Sequence, residues 1–578
     1  MNDEPFTAEQ REYLKGFMAG VEVRHGLLRP AAEREPGPPP DALRAAQDAA
    51  LARGGKLTPQ EEAKRAKHPL DRWDEITERA ARAVFPKPID DFLGRWHGLF
   101  FVGPTQEAFM CRLRIPGGIL SAHQLEGVAR IARACGGGYA DITTRANLQI
   151  REIPAAKGPE VVMELSELGL VPLGTGADNV RNITASPTAG IDPAELIDTR
   201  PIVRALHHHV LRTRDLFALP RKFNIALWGG GRVEVLQDTN DIALSAVDTD
   251  RGPRFLLGLG GITGHRDFAR GTGRLVRPEA VVPLCDAILR VFVAEGDRTD
   301  RRKARLKYVL DRLGVEAFVG LVEQRLGAPL ERAADASIRP PPPPLKHGHV
   351  GVHPQKQQGL FYVGVTTPVG RLTVERLLGL AELSRRFGSG TIRLTVWQNL
   401  LISDIAEAAL PRFLEELAGL GLSHEASAIR GGLVACTGNV GCKFAAANTK
   451  RHATQLADFL DSRLALDQPI NIHLTGCHHS CAQHYVGDIG LLATRVECGD
   501  ETVEGYDLHV GGGARPEQGL GRPILSGIPA EQVGPHVLAL LRAWLATRSP
   551  NETFRDFCAR HGTDALATLA GARTEEPA

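Results

Sequence analysis

No stretch of this 578-residue sequence is apolar for anything near the roughly 18 residues that a membrane-spanning helix needs, so a helical integral membrane protein is excluded. Excess charge is also missing. Lys and Arg number 69 against 68 Asp and Glu, which argues against a dedicated nucleic-acid binder while leaving room for a local basic patch. The opening MNDEPFTAEQ has acids where a secretory signal has positive charge and then an apolar stretch, and a cytoplasmic location is the expectation. No G-x-G-x-x-G follows a strand, since GGITGHRDFARGTG lacks that spacing, so no flavin- or nicotinamide-binding domain is expected. Nine cysteines make an odd count, and Cys111, Cys135, Cys285, Cys498 and Cys558 stand far from any partner, as plain thiols of a reducing compartment do.

What is present is organised by proline breaks and by repetition. Residues 1–90 are polar and Ala-rich with a break at PGPPP (36–40), and TPQEEAKRAK predicts a helix capped by Thr58 with Pro59 in its first turn. RPPPPPLKHGH (339–349) predicts an extended linker. The parts on either side of it resemble each other. Residues 116–150 align without a gap on 368–402, with 13 of 35 positions identical, among them Gly118/Gly370 and Asn147/Asn399. Each copy reads as turn, amphipathic helix, glycine-rich stop and β-strand, with ADITTRANLQI as the strand of the first. Further on, KFNIALWGG (222–230) matches PINIHLTGC (469–477), and NDIALSA (240–246) matches GDIGLLA (487–493). Two copies of one α+β module follow. Where the second has CHHSC the first has GGRVE, so one asymmetric site is expected.

The remaining four cysteines are paired. Cys436 and Cys442 form a Cys-x5-Cys in ACTGNVGCKF, and Cys477 and Cys481 a Cys-x3-Cys in LTGCHHSCAQHY. Thiolates in this number suit an iron–sulfur cluster or structural zinc, and the x5 spacing fits a zinc knuckle poorly. Basic residues gather in the first copy in apolar or Gly/Pro-bounded settings: Arg112 and Arg114, Arg145 and Arg151, Arg181, and Arg221 with Lys222. Their counterparts are mostly not basic, Arg112 aligning with Gly364 and Arg145 with Trp397. His207-His208-His209 reads as a solvated helix face, because adjacent helical positions point apart. His347, His349, His353, Lys356 and Gln357 are further candidates for touching a cofactor.

Cys-x5-Cys followed by Cys-x3-Cys resembles the signature of the siroheme-dependent nitrite and sulfite reductases, over residues 95 to 500. The resemblance implies an α+β fold of internally duplicated, pseudo-twofold ferredoxin-like (parachute) halves with two siroheme- and Fe–S-binding modules. It divides the chain into a helical extension (1–95), a first ferredoxin-like half (96–155), a first siroheme module (156–338), linker and second half (339–405), and a second module with the [4Fe–4S] cluster and C-terminal helices (406–578). It implies a [4Fe–4S] cluster on Cys436, Cys442, Cys477 and Cys481, with Cys481 shared by the siroheme iron. Arg112, Arg181, Lys222 and Asn224 match positions facing the substrate, and Arg145, Asn147, Gln149 and Arg221 match segments holding siroheme carboxylates. Two departures are His478-His479, where relatives carry Pro-Asn, and Ala146, where they carry Gln. Lys222-x-Asn224 follows the nitrite-reducing pattern, Lys-x-Lys the sulfite-reducing one. The implied activity is six-electron reduction of nitrite to ammonia in nitrate assimilation by a monomer that takes electrons from ferredoxin. The rivals are a sulfite reductase, a corrin-biosynthesis oxygenase and a non-catalytic four-cysteine metal protein.

Overall fold

The computed structural model describes residues 42–103, 105–333, 338–513 and 518–571; the PGPPP break lies outside them. Four helices, Ala42–Ala52, Pro59–Ala66, Trp73–Ala81 and Pro88–Gly94, lead into the first sheet. Thr58 caps the second of them, its side chain accepting from the Glu61 N–H as the sequence predicts.

The two ferredoxin-like halves each make a five-stranded sheet, and each lends the other an edge strand. The first runs Leu99–Val102, Ala108–Arg112, Leu148–Ile153, Tyr139–Ile142, and ends with Arg371–Thr373 from the second half. The second runs Gly351–Pro354, Leu360–Val365, Leu400–Ala406, Thr391–Leu394, and ends with Ile119–Ser121 from the first. Helices Ala122–Cys135 and Val374–Phe387 begin where the exchanged strands stop, capped by Ser121 and Thr373, and share one apolar core. At the exchange points the chain must turn close under the other half. Gly118 and Gly370 do so at φ +74° and +81°, and a Cβ on them would stand 2.5 Å from the Leu394 carbonyl and 2.6 Å from that of Ile142. ADITTRANLQI is a hairpin rather than one strand. Thr143–Asn147 form the turn between Tyr139–Ile142 and Leu148–Ile153, with Ala146 in the left-handed region at φ 49°, and Gln398 repeats this in the second half at φ 60°. Alternation alone cannot reveal such a break.

Each module adds a mixed sheet. In the first, Thr184–Ala185, Ile225–Trp228 and Ile242–Thr249 are parallel, and antiparallel strands Arg254–Leu259 and Arg270–Val276 follow. In the second, Gly432–Ala435, Asn471–Thr475 and Ile489–Cys498 are parallel, followed by Glu501–Val510 and Arg522–Pro529. The internal match extends to single bonds: Asp241 accepts from the Asn224 N–H at 2.8 Å, and Asp488 from the Asn471 N–H at 2.6 Å.

Residues 340–345 lack regular structure, and the linker's end is packed into the protein. His347 bonds the Asn471 side chain at 2.8 Å, and His349 stacks on Trp397 with ring centres 5.7 Å apart. Burial lowers these histidines to pKa values of about 4 and about 3, so both are neutral. His353 stacks on Tyr362, Lys356 pairs with Glu195 and Gln357 donates to the Gly190 carbonyl, so all five take up protein partners. The solvated-face reading of the histidine triplet is corrected. His207 is buried, and burial followed by Arg114 and His208 holds it well below its usual pKa, while His209 pairs with Asp286 at 2.8 Å. Helix Arg200–Arg212 buries the stripe Val203, Leu206, His207, Val210 and Leu211, and of the three histidines only His207 falls on it. Among the described residues no helix is long and apolar enough to cross a membrane.

Gly370→Ala should destabilise the protein by about 1–3 kcal/mol, because the Cβ meets backbone from the other half. Gly138→Ala, at φ +78° with nothing within 4 Å of a built Cβ, should cost less. Denaturant unfolding of the two variants measures this, and equal losses would mean that the exchange junction is not the tight point.

Candidate active site

Two parallel strands end side by side and deliver the cysteines. Gly432–Ala435 runs straight into Cys436, and Asn471–Thr475 into Gly476 and Cys477. Cys436 donates its N–H to Leu474, and the Gly476 N–H points at the Cys436 sulfur at 3.1 Å. A Cβ on Gly476 would lie 2.5 Å from that of Ala445, so only glycine lets the two loops meet. The Cys442 loop is tied at both shoulders by Glu504, which accepts from the Asn448 N–H and the Asn439 amide. His479 bonds the Cys477 sulfur through Nδ1 at 3.4 Å and packs its ring edge-on against Phe444.

The first ferredoxin-like half reaches over to these loops. Arg151 donates to the Gly441 carbonyl at 2.6 Å, and Thr144 Oγ1 to the Cys481 carbonyl at 2.9 Å. From the second half, Gln398 donates to Ala435 O and accepts from Ala435 N, both at 2.9 Å, which fixes the residue before Cys436. Ala146, at the matching position in the first copy, has no side chain to do so.

Of the expected cations, Arg112 and Lys222 approach Cys481, and Arg181 stands beside them. Arg112 and Lys222 are both near enough for the Cys481 thiolate to favour their charged forms, while Arg181 feels Arg112, Arg145 and Arg221. Cys481 has exposed surface, yet protein encloses it; that burial, then Cys436, pushes its thiol up to about 12, with Lys222 opposing. Burial and neighbouring positive charge lower the cations in turn, Arg112 and Arg145 to about 10 and Lys222 to about 7. Arg112 lies over the Phe100 ring at 4.5 Å and donates weakly to Thr175 O; Arg181 donates to Thr175 O and Ala177 O. Among the described residues Lys222 forms no hydrogen bond or ion pair, and the buried Asn224 Oδ1 has no partner.

Other marked residues serve the frame. Asn147 donates to the Leu113 carbonyl and accepts from Thr143, Arg114 spends its guanidinium on the carbonyls of Leu173, Val180 and Arg181, and Gln149 accepts from Arg151. Arg145 braces Asn182 O and Asn240 Oδ1 while staying among the site cations. Arg221 approaches the buried Asp178 at 3.8 Å. Sequence reasoning passed over Thr144, Gln398, Asp178 and the buried pair Arg305–Asp241 (2.7 Å), which stands next to Lys222 and Asn224. Thr144 and Gln398 lie in the repeated turn, so comparing the copies was the signal for them.

Two family models match the chain: the nitrite and sulphite reductase 4Fe-4S domain at residues 176–330 and 427–577, and the nitrite/sulfite reductase ferredoxin-like half domain at 102–168 and 353–420. The chain belongs to the nitrite and sulphite reductase family. The ferredoxin–nitrite reductase of Synechococcus elongatus is 39% identical over 459 residues, covering 77% of this chain and 88% of the relative. The chloroplastic enzyme of that name from Zea mays is 35% identical over 506 residues, covering 84% and 89%. Among solved structures, the Mycobacterium tuberculosis NirA protein superposes with a TM-score of 0.82 at 31% identity, covering 89% of this chain and 99% of that one.

Membership in the nitrite and sulphite reductases implies a siroheme and a [4Fe–4S] cluster, and the site fits both. A single zinc ion with bonds of about 2.3 Å would hold its four sulfurs about 3.8 Å apart. Among the described residues no three of the four thiols lie within 4.8 Å of one another, which leaves room for a cluster instead. The Gly476 N–H aimed at sulfur suits a cluster, and the converging cations suit a carboxylate-rich macrocycle.

Cys481→Ser should abolish both the siroheme absorption bands and the activity, since that thiol is expected to serve both centres. Normal bands with undiminished turnover would remove Cys481 from this role.

Proposed function

We propose that this protein reduces nitrite to ammonia, with single electrons supplied by ferredoxin or a similar small donor. The observation that carries the reading is the approach of Arg112 and Lys222 to Cys481, with Arg181 beside both cations, in a chain whose named relatives are ferredoxin–nitrite reductases. A place in nitrate assimilation has the support of a 31% identical relative from Haloferax mediterranei, named an assimilatory ferredoxin-dependent nitrite reductase. We keep the cytoplasm as the site of action.

Cys436, Cys442, Cys477 and Cys481 would hold the cluster, Cys481 would also ligate the siroheme iron, and Arg145, Gln149 and Arg221 would face its carboxylates. When bound, these groups supply storage of electrons and their delivery one at a time to the nitrite nitrogen. The protein's own part is electrostatic. Arg112 and Arg181 are pre-oriented by carbonyl oxygens, so they meet the anion without reorganising. Lys222, unbonded and lowered to about 7, can hold a proton or release one near neutral pH, as removal of two nitrite oxygens requires. Asn224 adds a neutral amide rather than another cation, which suits monoanionic nitrite better than the sulfite dianion.

Lys222→Met and Arg181→Ala should keep both cofactors and lose about 2–4 kcal/mol of transition-state stabilisation in nitrite turnover with reduced methyl viologen. Wild-type turnover in both would mean that neither residue faces the substrate.

Asn224→Lys should shift kcat/KM toward sulfite, relative to nitrite, by about 1–2 kcal/mol, the value of one partly screened charge contact. The siroheme spectrum serves as the internal control. A wild-type preference for sulfite, or an unmoved ratio in the variant, would point to sulfite reduction or to a purely structural Asn224.

A further inference from the structure

The loop Gly174–Arg181 carries Arg181 and meets the Arg112 guanidinium, and its one strand-like contact is the single bridge Val180–Phe223. Thr175 O accepts from both Arg112 and Arg181, Ala177 O accepts from Arg181, and the Thr175 hydroxyl donates back to Arg112 O at 3.0 Å. The position of this loop therefore sets the positions of two guanidinium groups. Inside the loop sits Asp178, fully buried.

Asp178 is held by Arg301 of its own module and by Lys64 from the N-terminal helices outside it. Arg301 grips it through both terminal nitrogens at 2.9 and 2.7 Å, and Lys64, from helix Pro59–Ala66, reaches it at 3.3 Å. Lys64 also pairs with Glu61 one turn earlier and donates to Leu219 O at 3.2 Å. Glu61 is held in turn by Arg298 at 3.0 Å and by Gln47 of helix Ala42–Ala52 at 2.9 Å. Lys64, Glu61, Asp178 and Arg298 are all buried, so each charge depends on the others. Burial alone would raise the Asp178 pKa, but Lys64 and Arg301 outweigh it and hold the carboxyl below its usual range, ionised. On its other side the loop is pressed on the same N-terminal segment, a Cβ on Gly176 falling 2.6 Å from the Arg95 carbonyl.

We infer that the N-terminal helical extension is a positioning element of the substrate site, acting through Lys64 and Asp178 on the loop that orients Arg112 and Arg181. Lys64 touches no substrate; it fixes the carboxylate that fixes the loop. The inference rests on the assignment of Arg112 and Arg181 to nitrite made above.

The test uses the full-length holoenzyme of Lys64→Met, Lys64→Arg, Arg301→Gln and Arg181→Ala. Nitrite affinity is read from the change it causes in the siroheme visible spectrum, beside KM and kcat. Lys64→Met and Arg301→Gln should retain siroheme and cluster absorbance yet bind nitrite roughly ten- to a hundredfold more weakly, the range expected from misplacing a binding group by an ångström. Lys64→Arg, which keeps the charge, should restore most of the affinity. A general loss of stability would lower the unfolding midpoint and leave affinity unmoved, and that result in Lys64→Met and Arg301→Gln overturns the inference. Should Lys64→Met fail to fold, Lys64→Gln, which removes the same charge with a shorter polar side chain, takes its place; Arg301→Gln, inside the module, shows whether the Asp178 carboxylate holds the loop at all. If Arg181→Ala binds nitrite like the wild type, the substrate-site assignment itself fails. If only Arg181→Ala is impaired, that assignment stands and the positioning role falls.

Discussion

Like charges crowded into a protein interior repel one another, and the arrangement of this molecule follows from that fact. Arg112, Arg145, Arg181, Arg221 and Lys222 stand near enough to depress one another's protonation. An uncompensated buried charge costs several kcal/mol, so each needs a counter-group at close range. Arg181 and Arg145 are met by carbonyl oxygens, Arg221 by Asp178, and Arg305 by Asp241, which also takes the Asn224 N–H. Among the described residues Lys222 has no such counter-group, and burial with its cationic neighbours lowers it to about 7.

Duplication supplies the two walls between which this charge is held. Both copies keep the Asn–Asp contact at the start of the parallel strands, so that pair belongs to the ancestral module. The copies then diverge. The first sets Arg145 and Asn224 beside Asp241, while at the corresponding place the second presents Trp397 and Asn471 to the linker histidines. Neutral imidazoles of His347 and His349 occupy that place, so the cationic side chains lie on one side of the pseudo-twofold frame.

Much of this was legible before any coordinates. Glycines at matched positions and a shared Asn exposed the repeat, because turns of fixed geometry tolerate few residue types. The paired cysteines stood out by spacing, and the basic residues by their apolar surroundings. What escaped was non-local. Lys64 lies 114 residues from Asp178, and Lys64 in PQEEAKRA looks like an ordinary solvated helical lysine. The exchange of edge strands leaves no mark on either strand's alternation, whereas His207 does fall on the stripe of Val203, Leu206, Val210 and Leu211, a local signal that was overlooked. The split of ADITTRANLQI was missed because a positive φ at a non-glycine residue has no sequence signature.

The exchanged strands also dictate an order of events during synthesis. The first sheet lacks its edge until Arg371–Thr373 has been made, and Ile119–Ser121 waits for Thr391–Leu394 to pair with. Neither half can complete itself locally, so the nascent chain must hold open strand edges across some 250 residues before closure. All four cysteines expected to hold the cluster arrive later still. Every strand of both ferredoxin-like halves is thus synthesised before the first of those thiols.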